Sequence, residues 1–351
     1  MGFATLETMS GGPPGADLTY LLPEAQSAIG FAMPLNMDLI RPYLGKEYPD
    51  IRGIHEKDNI ETNVRVGRLS RDLRNYLREK GFKAEYYIPN NYYRQDIPGW
   101  QASLPPELSL RYLAVRSGVA SFGWSGNVGI KGYGANIIVG GVVTDAKLTP
   151  TDPLPSEDSF CNKCKLCTKV CGFRMFSENE ETSVTLGGYT MTYSKRLNKS
   201  RCLLVCGGCN GLDKTGKWST WSPGRYDYPE DDREVNRLMS MAMTAQSKRP
   251  LINDSSQGYK AAAYGGKGII QLTCGNCQLI CWGNPEDTAE NYRLLTNSGC
   301  VIQNEDGELV VLPPEKAIEE FNKMDPKRKR LYYKDYKTRI RRATKITQLM
   351  P

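Results

Sequence analysis

Eleven cysteines fall into groups whose spacing can do chemistry. Residues 161 to 171 read Cys-Asn-Lys-Cys-Lys-Leu-Cys-Thr-Lys-Val-Cys, a C-x2-C-x2-C-x3-C run. Three thiolates at two-residue gaps converge on one four-iron, four-sulfur (4Fe-4S) cubane, while the fourth points away toward a second cluster. A second cluster needs ligands elsewhere, and Cys274-Gly-Asn-Cys277-Gln-Leu-Ile-Cys281 supplies a C-x2-C-x3-C half-motif about a hundred residues later. Zinc ribbons use two C-x2-C pairs, which does not account for a three-residue gap closing both motifs. Between them Cys202, Cys206 and Cys209 are spaced C-x3-C-x2-C, as in a radical-SAM cluster loop. That loop opens a barrel of alternating strands and helices, which this Gly-, Trp- and Pro-rich stretch does not resemble, so a third metal site or spare cysteines is the better reading.

The other residue types narrow the chemistry. His55 is the single histidine, which excludes mechanisms needing several imidazoles and leaves Cys, Tyr, Asp, Glu and Lys. Tyr92, Tyr93 and Tyr133 lie in glycine- or proline-flanked loops and are candidate proton donors. Glu107 stands at a predicted helix start, where a carboxylate also serves the helix dipole. Gly140 and Gly141 interrupt an apolar strand pattern, and paired glycines permit close approach by another group.

The elements that must position these residues follow from patterning. Residues 1–20 predict an irregular Gly/Pro/Ser/Thr-rich arm that packs on the surface or reaches a partner. Ala25 to Leu35 predicts a buried strand, Asn59 to Lys80 an amphipathic helix ending before Gly81, and Lys83 to Ile88 a short strand, a β-helix-β alternation. Asn90 to Gly99 is a turn-rich aromatic loop, Leu108 to Ser117 a helix, and Ala135 to Thr144 a second buried strand. A Pro/Asp linker, Pro150 to Pro155, leads to the first cysteine motif. The predicted organisation is an α/β domain over 21–150, a cluster domain over 151–300 with a long insert at 173–273, and a basic extension over 301–351. Within the insert, Trp218, Trp221, Tyr226 and Tyr228 are candidates to cap a flat ligand, and the Met-rich run Leu238 to Met243 reads as core.

Charge leans basic, at +7, and the lean is local. Eleven Lys or Arg fall between Lys323 and Lys345, against Asp325 and Asp335. Tyrosines interleave with these cations, which suits an anionic surface, a tRNA or an acidic protein. No apolar run reaches the ~18 residues of a membrane span, and neither a signal sequence nor a twin-arginine motif is present, so the expectation is a cytoplasmic protein with reduced thiols.

At these residues the chain resembles the epoxyqueuosine reductase and reductive dehalogenase superfamily, cobalamin-dependent reductases with two 4Fe-4S clusters. The resemblance covers roughly residues 20 to 290. It rests on Ser27 to Leu35 after Leu22-Pro-Glu-Ala25, on Leu113-Ala-Val-Arg-Ser-Gly118 with Phe122-Gly-Trp-Ser-Gly126, on Gly140-Gly-Val-Val-Thr-Asp145, and on the two cysteine motifs. It implies an α+β fold: a nitroreductase-like α/β corrinoid-binding domain plus a ferredoxin-like two-cluster domain. It implies cluster one on Cys161, Cys164, Cys167 and Cys281, and cluster two on Cys171, Cys274, Cys277 and a cysteine of the insert. Cys202 is the choice for that eighth ligand, with Cys206 or Cys209 as alternatives. Trp124, Gly140 and Gly141 are the implied corrinoid contacts.

The sequence departs from the family where Gly172 and Trp282 follow Cys171 and Cys281 in place of proline. The family's Asp-Ser-x-Pro element is replaced by Ser103-Leu-Pro-Pro-Glu-Leu108, whose nearest carboxylate is Glu107, and the C-terminal helical-repeat extension is missing. Both argue against epoxyqueuosine as the substrate. Two functions are expected. One is a reductase passing single electrons from a donor such as ferredoxin or flavodoxin, through two clusters, to a bound corrinoid. The other is an electron-transfer or reductive-activation subunit without a corrinoid, docking on a partner metalloenzyme.

Overall fold

The β-branched run Ile-Ile-Val-Gly-Gly-Val-Val-Thr suits a central strand, and in the computed structural model it lies between two others. The structure describes residues 1–88, 92–229, 231–260 and 269–333, with mixed helix and strand content. From the N-terminus come β1 (Gly2–Thr5), β2 (Ser27–Pro34), α1 (Ile40–Gly45), the long α2 (Ile51–Glu79), β3 (Ala84–Tyr86), α3 (Trp100–Ser103) and α4 (Leu110–Arg116). A small hairpin, β4 (Ser121–Phe122) with β5 (Val128–Gly129), leads into β6 (Ile137–Thr144). The cysteine region holds α5 (Leu166–Lys169), the hairpin β7 (Phe176–Leu186) and β8 (Tyr189–Arg196), α6 (Ser200–Cys206) and α7 (Asp232–Gln246). It continues with β9 (Tyr259–Lys260), β10 (Ile269–Ile270), α8 (Asn276–Leu279) and α9 (Pro285–Thr296). The chain then adds the hairpin β11 (Cys300–Gln303) and β12 (Leu309–Leu312), α10 (Pro314–Lys323) and α11 (Pro326–Lys329).

The main sheet has the order β1-β2-β6-β3, with every neighbouring pair antiparallel. The predicted β-helix-β alternation is therefore split: β2 and β3 run the same way, but β6 is inserted between them. The register sets Phe31 opposite Gly140 and Gly30 opposite Gly141. A Cβ on Gly140 would lie 2.5 Å from the Phe31 ring and 2.7 Å from Val66 of α2, and one on Gly141 would lie 2.6 Å from Leu113 of α4. The two glycines thus admit an aromatic ring and two helices, and these side chains fill the space that sequence patterning had left open for a ligand.

Three further expectations change. The N-terminal segment is neither wholly irregular nor confined to the surface: β1 pairs along β2, and Met9, Ala16 and Leu18 are buried in the same core as Leu110 and Leu113. Trp218, Trp221 and Tyr226 are interior residues rather than an open cap, and Trp221 donates from Nε1 to the Tyr43 carbonyl at 3.1 Å. The C-terminal extension is folded through its described part, where Val301 and Leu309 join one core and Phe321 and Tyr332 another. Residues 334–351, which carry most of the basic run, lie outside the described residues, as do Asn90 and Asn91 of the aromatic loop. In α7, Leu238 and Ala242 face the core while Met243 is exposed, so the Met-rich run is core on one face.

Helix α2 begins at Ile51, eight residues before its predicted start at Asn59. The added turns contain a polar stretch that is nevertheless buried. Arg52 pairs with Glu56 at 2.9 Å and with Asp254, and donates from Nη1 to the Leu272 carbonyl at 2.8 Å. Glu56 in turn accepts from the Leu272 amide. Buried charges persist only when paired and hydrogen-bonded, and the partners here come from some two hundred residues away. The network fixes the chain just ahead of Cys274.

Candidate metal centre

Short helices carry the cysteines. Lys163 and Lys165 both adopt positive φ, turning the chain between Cys161 and Cys167. Cys167 then falls within α5 and Cys277 within α8. The hairpin before β6 grips the second motif: Ala135 N and Asn136 Nδ2 each donate to the Cys281 carbonyl at 3.0 Å. Gly134, at φ 58°, passes so close to that carbonyl that any Cβ would collide with it. Thr273 is tied to α6 through its amide on the Cys206 carbonyl at 3.0 Å and its hydroxyl on the Val205 carbonyl at 3.0 Å.

These contacts gather two groups of thiols. Cys161, Cys164, Cys167 and Cys281 line one hollow together with Cys277, Trp124, Phe160, Lys165 and Asn284. Burial pushes Cys281 up to about 12, helped by Cys161 and Cys164. Cys167 is raised by burial and by Cys277, Cys281, Cys161 and Cys164. In the second group burial moves Cys171 up to about 12, with Cys277 and Cys202 adding to it. Cys277 rises to about 11 through burial and Cys202, and Cys274 is raised by burial, Cys277 and Cys202. Cys202 is raised by its hydrogen bond with Cys206 and by burial. Cys209 belongs to neither group; it is buried with Leu204 and Val205, and its thiol donates to Gln246 Oε1 at 3.3 Å. The radical-SAM-like spacing therefore does not bring its three thiols together. Cys300 is buried against β12 and α10.

Among the described residues no three His, Cys, Asp or Glu side chains form a group that could hold a single metal ion. The thiols instead surround a hollow, and so many buried thiolates facing one another require compensating positive charge to ionise. Several N–H groups are aimed at the same sulfurs. Trp124 N and Lys163 N donate to Cys161 Sγ at 3.3 and 3.4 Å, Met175 N donates to Cys171 Sγ at 3.3 Å, and Asn127 Nδ2 lies 3.6 Å from Cys277 Sγ. Trp124 lines the hollow, and its buried Nε1 has no acceptor. Asn276 Nδ2, between Cys274 and Cys277, and Trp282 Nε1, beside Cys281, are likewise buried donors without acceptors. Orphaned donors beside cysteine motifs fit clusters whose sulfides accept hydrogen bonds.

The candidate acid and tyrosine residues are not assembled into one constellation. Tyr92 is exposed, and its carbonyl accepts from the Tyr87 hydroxyl at 3.0 Å. Tyr93 bridges to Pro106, and burial raises its phenol above the ordinary value. Glu107 follows, its carboxyl raised by burial and opposed by Arg94. Tyr133 is exposed at the hairpin that holds Cys281. Beside Gly140 and Gly141 on β6, the space a Cβ would take is occupied by Phe31, Val66 and Leu113. Trp124 is buried in the cysteine hollow.

Sequence reasoning missed Asn136, Arg52 and Glu56 as positioning residues and treated His55 as part of a polar stretch. His55 is buried, with its ring centroid 4.4 Å from that of Tyr43 and Nδ1 unpartnered. Burial and Arg52 lower it to about 4. The indication available in the sequence was the i, i+4 pairing of Arg52 and Glu56 on a helical stretch.

No family model and no curated protein matches this sequence. Solved structures do match. The catabolic reductive dehalogenase NpRdhA, in complex with 3-bromo-4-hydroxybenzoic acid, matches with TM-score 0.45 and 14% identity over 95% of this chain and 35% of its own. This chain therefore spans about a third of the dehalogenase's length. An epoxyqueuosine reductase bound to an epoxyqueuosine-modified tRNA stem loop matches with TM-score 0.36 and 15% identity over 84% of this chain and 76% of its own. Epoxyqueuosine reductase from Bacillus subtilis matches with TM-score 0.33 and 14% identity, covering 93% and 82%. Among the described residues no helix is long and apolar enough to cross a membrane.

Proposed function

We propose that this chain is an iron-sulfur oxidoreductase. One 4Fe-4S cluster is held by Cys161, Cys164, Cys167 and Cys281, and a second by Cys171, Cys202, Cys274 and Cys277. Bound there, the clusters supply one-electron transfer, the hard chemistry that side chains cannot perform. The observation that carries the reading is the hollow ringed by five cysteines from two distant motifs, with the Trp124 indole N–H buried and unpaired beside it. The protein's own part is to fix thiol positions, exclude water and donate N–H groups to sulfur, which sets the potential. Cys164 is exposed and gives a donor protein, of the ferredoxin or flavodoxin kind, access to the first site. Cys277 lines the first hollow and also adjoins Cys202, giving a short route between the sites.

Where the electrons go next separates two versions. In the first, a bound corrinoid accepts them for reduction of a substrate, as the family resemblance implies. In the second, they leave for a partner metalloenzyme. The side chains packed over Gly140 and Gly141 favour the second version. The test is iron and sulfide analysis after anaerobic reconstitution, followed by incubation with cobalamin, removal of free ligand and paramagnetic resonance. About eight iron per chain supports two clusters, and clearly fewer than about five overturns them. Stoichiometric retained cobalt selects the corrinoid version, and no retained cobalt selects the electron-transfer version.

A further inference from the structure

A group of cations at the edge of the second cysteine site has no carboxylate among the charged groups acting on it. Arg111, on α4, donates from Nη1 to the Gly126 carbonyl at 2.9 Å. Arg196, at the end of β8, donates from Nε and Nη2 to the neighbouring Ser125 carbonyl at 3.1 and 2.8 Å. Two guanidinium groups therefore sit on consecutive carbonyls of one turn. Gly126 has φ 69°, and a Cβ there would lie 3.0 Å from both Arg196 Nη2 and the Tyr193 ring, so only glycine lets these groups approach. Lys199, just ahead of α6, extends to the Ser103 carbonyl. Beside the arginines, Tyr112 and Tyr193 share a hydroxyl-hydroxyl hydrogen bond of 2.9 Å, with both rings packed on Phe122.

The charge balance is one-sided. The charged groups acting on Arg111 and Lys199 are each other's neighbours and the two tyrosines; no carboxylate or thiol is among them. Burial and Arg196 bring Arg111 down to about 10, and burial with Arg111 and Arg196 lowers Lys199. Arg196 alone also faces Cys277 and Cys202. A guanidinium has five donors, and the carbonyl contacts above use one on Arg111 and two on Arg196. One tyrosine proton is spent within the pair, and the other hydroxyl proton is free to donate. Arg111, Tyr112, Tyr193 and Arg196 are half-buried and Lys199 is exposed, so the group opens to solvent on one side.

We propose that the cations gathered where α4, β8 and the start of α6 meet bind a small oxyanion, the carboxylate or phosphate group of an organic ligand, through Arg111, Arg196 and Lys199, with the Tyr112 and Tyr193 pair as a neutral donor. Planar guanidinium forks match carboxylate and phosphate oxygens, and paired forks make the contact directional. Arg196 is shared with the cysteine region, whereas Arg111 and Lys199 have no thiol to serve and are free for the anion.

The experiment is calorimetric titration of the full chain, anaerobically prepared, with inorganic phosphate in one arm and benzoate in the other. The expected result is one saturable site for at least one probe, and the arm that binds more tightly identifies the oxyanion. Arg111→Gln and Lys199→Met should each weaken binding roughly tenfold or more, since charge-assisted hydrogen bonds are lost. Lys199 is exposed, so its variant folds even if the arginine variant does not. Arg233→Gln, an exposed cation elsewhere, serves as the control. No saturation with either probe, or unchanged binding in both variants, overturns the site. So does a Lys199→Met protein that binds normally but has a shifted cluster potential, because the cations would then balance cluster charge instead.

Discussion

The two cysteine groups share the same two motifs, the second adding Cys202 of the insert, yet sit in different surroundings. The first is mostly local: Cys161, Cys164 and Cys167 lie on one turn, Cys164 is exposed, and Cys281 arrives from a distance with Cys277 beside it. The second is assembled from three segments, with Cys171 from the first motif, Cys202 from α6, and Cys274 and Cys277 at α8. It is fixed from outside by the buried Arg52, Glu56 and Asp254 network, by Thr273 and by Trp221. A local, open group is held by its own turn, while a group assembled from remote segments depends on the whole fold. Damage should therefore be confined at the first site and global at the second.

The sharpest break is Cys277→Ala against Cys281→Ala. Cys277 adjoins both groups, so its loss should remove the second cluster and disturb the first, with iron falling from about eight to four or fewer per chain. Cys281→Ala should cost only the first cluster. Paramagnetic spectra that show the second cluster lost in Cys281→Ala would reverse the cross-motif pairing.

Next in size is Arg52→Met, which strands Glu56 and Asp254 in the interior. Breaking a buried network of this kind costs about 3–5 kcal/mol. Urea unfolding should show a lower midpoint, and the second cluster should be lost before the first. Equal loss of both clusters would remove the asymmetry.

His55 should make the enclosed region acid-sensitive. Its folded value is lowered from 6.5 to about 4, so between these values the unfolded chain binds the extra proton and stability rises with pH. The contribution is fully present above about pH 6.5 and is lost as the pH falls toward 4, to a limit of about 3 kcal/mol. In His55→Phe, unfolding followed from pH 7 to pH 4 should have a flatter slope, and an unaltered slope would assign the acid response to carboxylates.

The smallest effect belongs to the tail. Deleting residues 334–351 should leave iron content and unfolding midpoint unchanged, since a concentrated cationic run acts through long-range electrostatics. Deletion from Lys323 onward should destabilise the chain, because Tyr332 is 1% exposed and donates to Gln303 Oε1 at 3.0 Å. Iron lost on the shorter deletion would make the tail structural.

Local spacing and composition by themselves determined the cysteine motifs, the strands at 27–34 and 137–144, and the helix ending before Gly81. Each is decided within a few residues, by side-chain periodicity or by ligand gaps. The sheet order, the burial of the N-terminal strand and the early start of α2 were decided only in three dimensions. So were the covering of Gly140 and Gly141, the separation of Cys209 from Cys202, and the meeting of Arg111 with Arg196. Each of these depends on partners far apart in the chain, and a local pattern cannot tell a glycine that admits a ligand from one that admits a phenylalanine. Nor does it show which polar residues are buried, because a buried charge is stable only through hydrogen bonds that the fold brings to it.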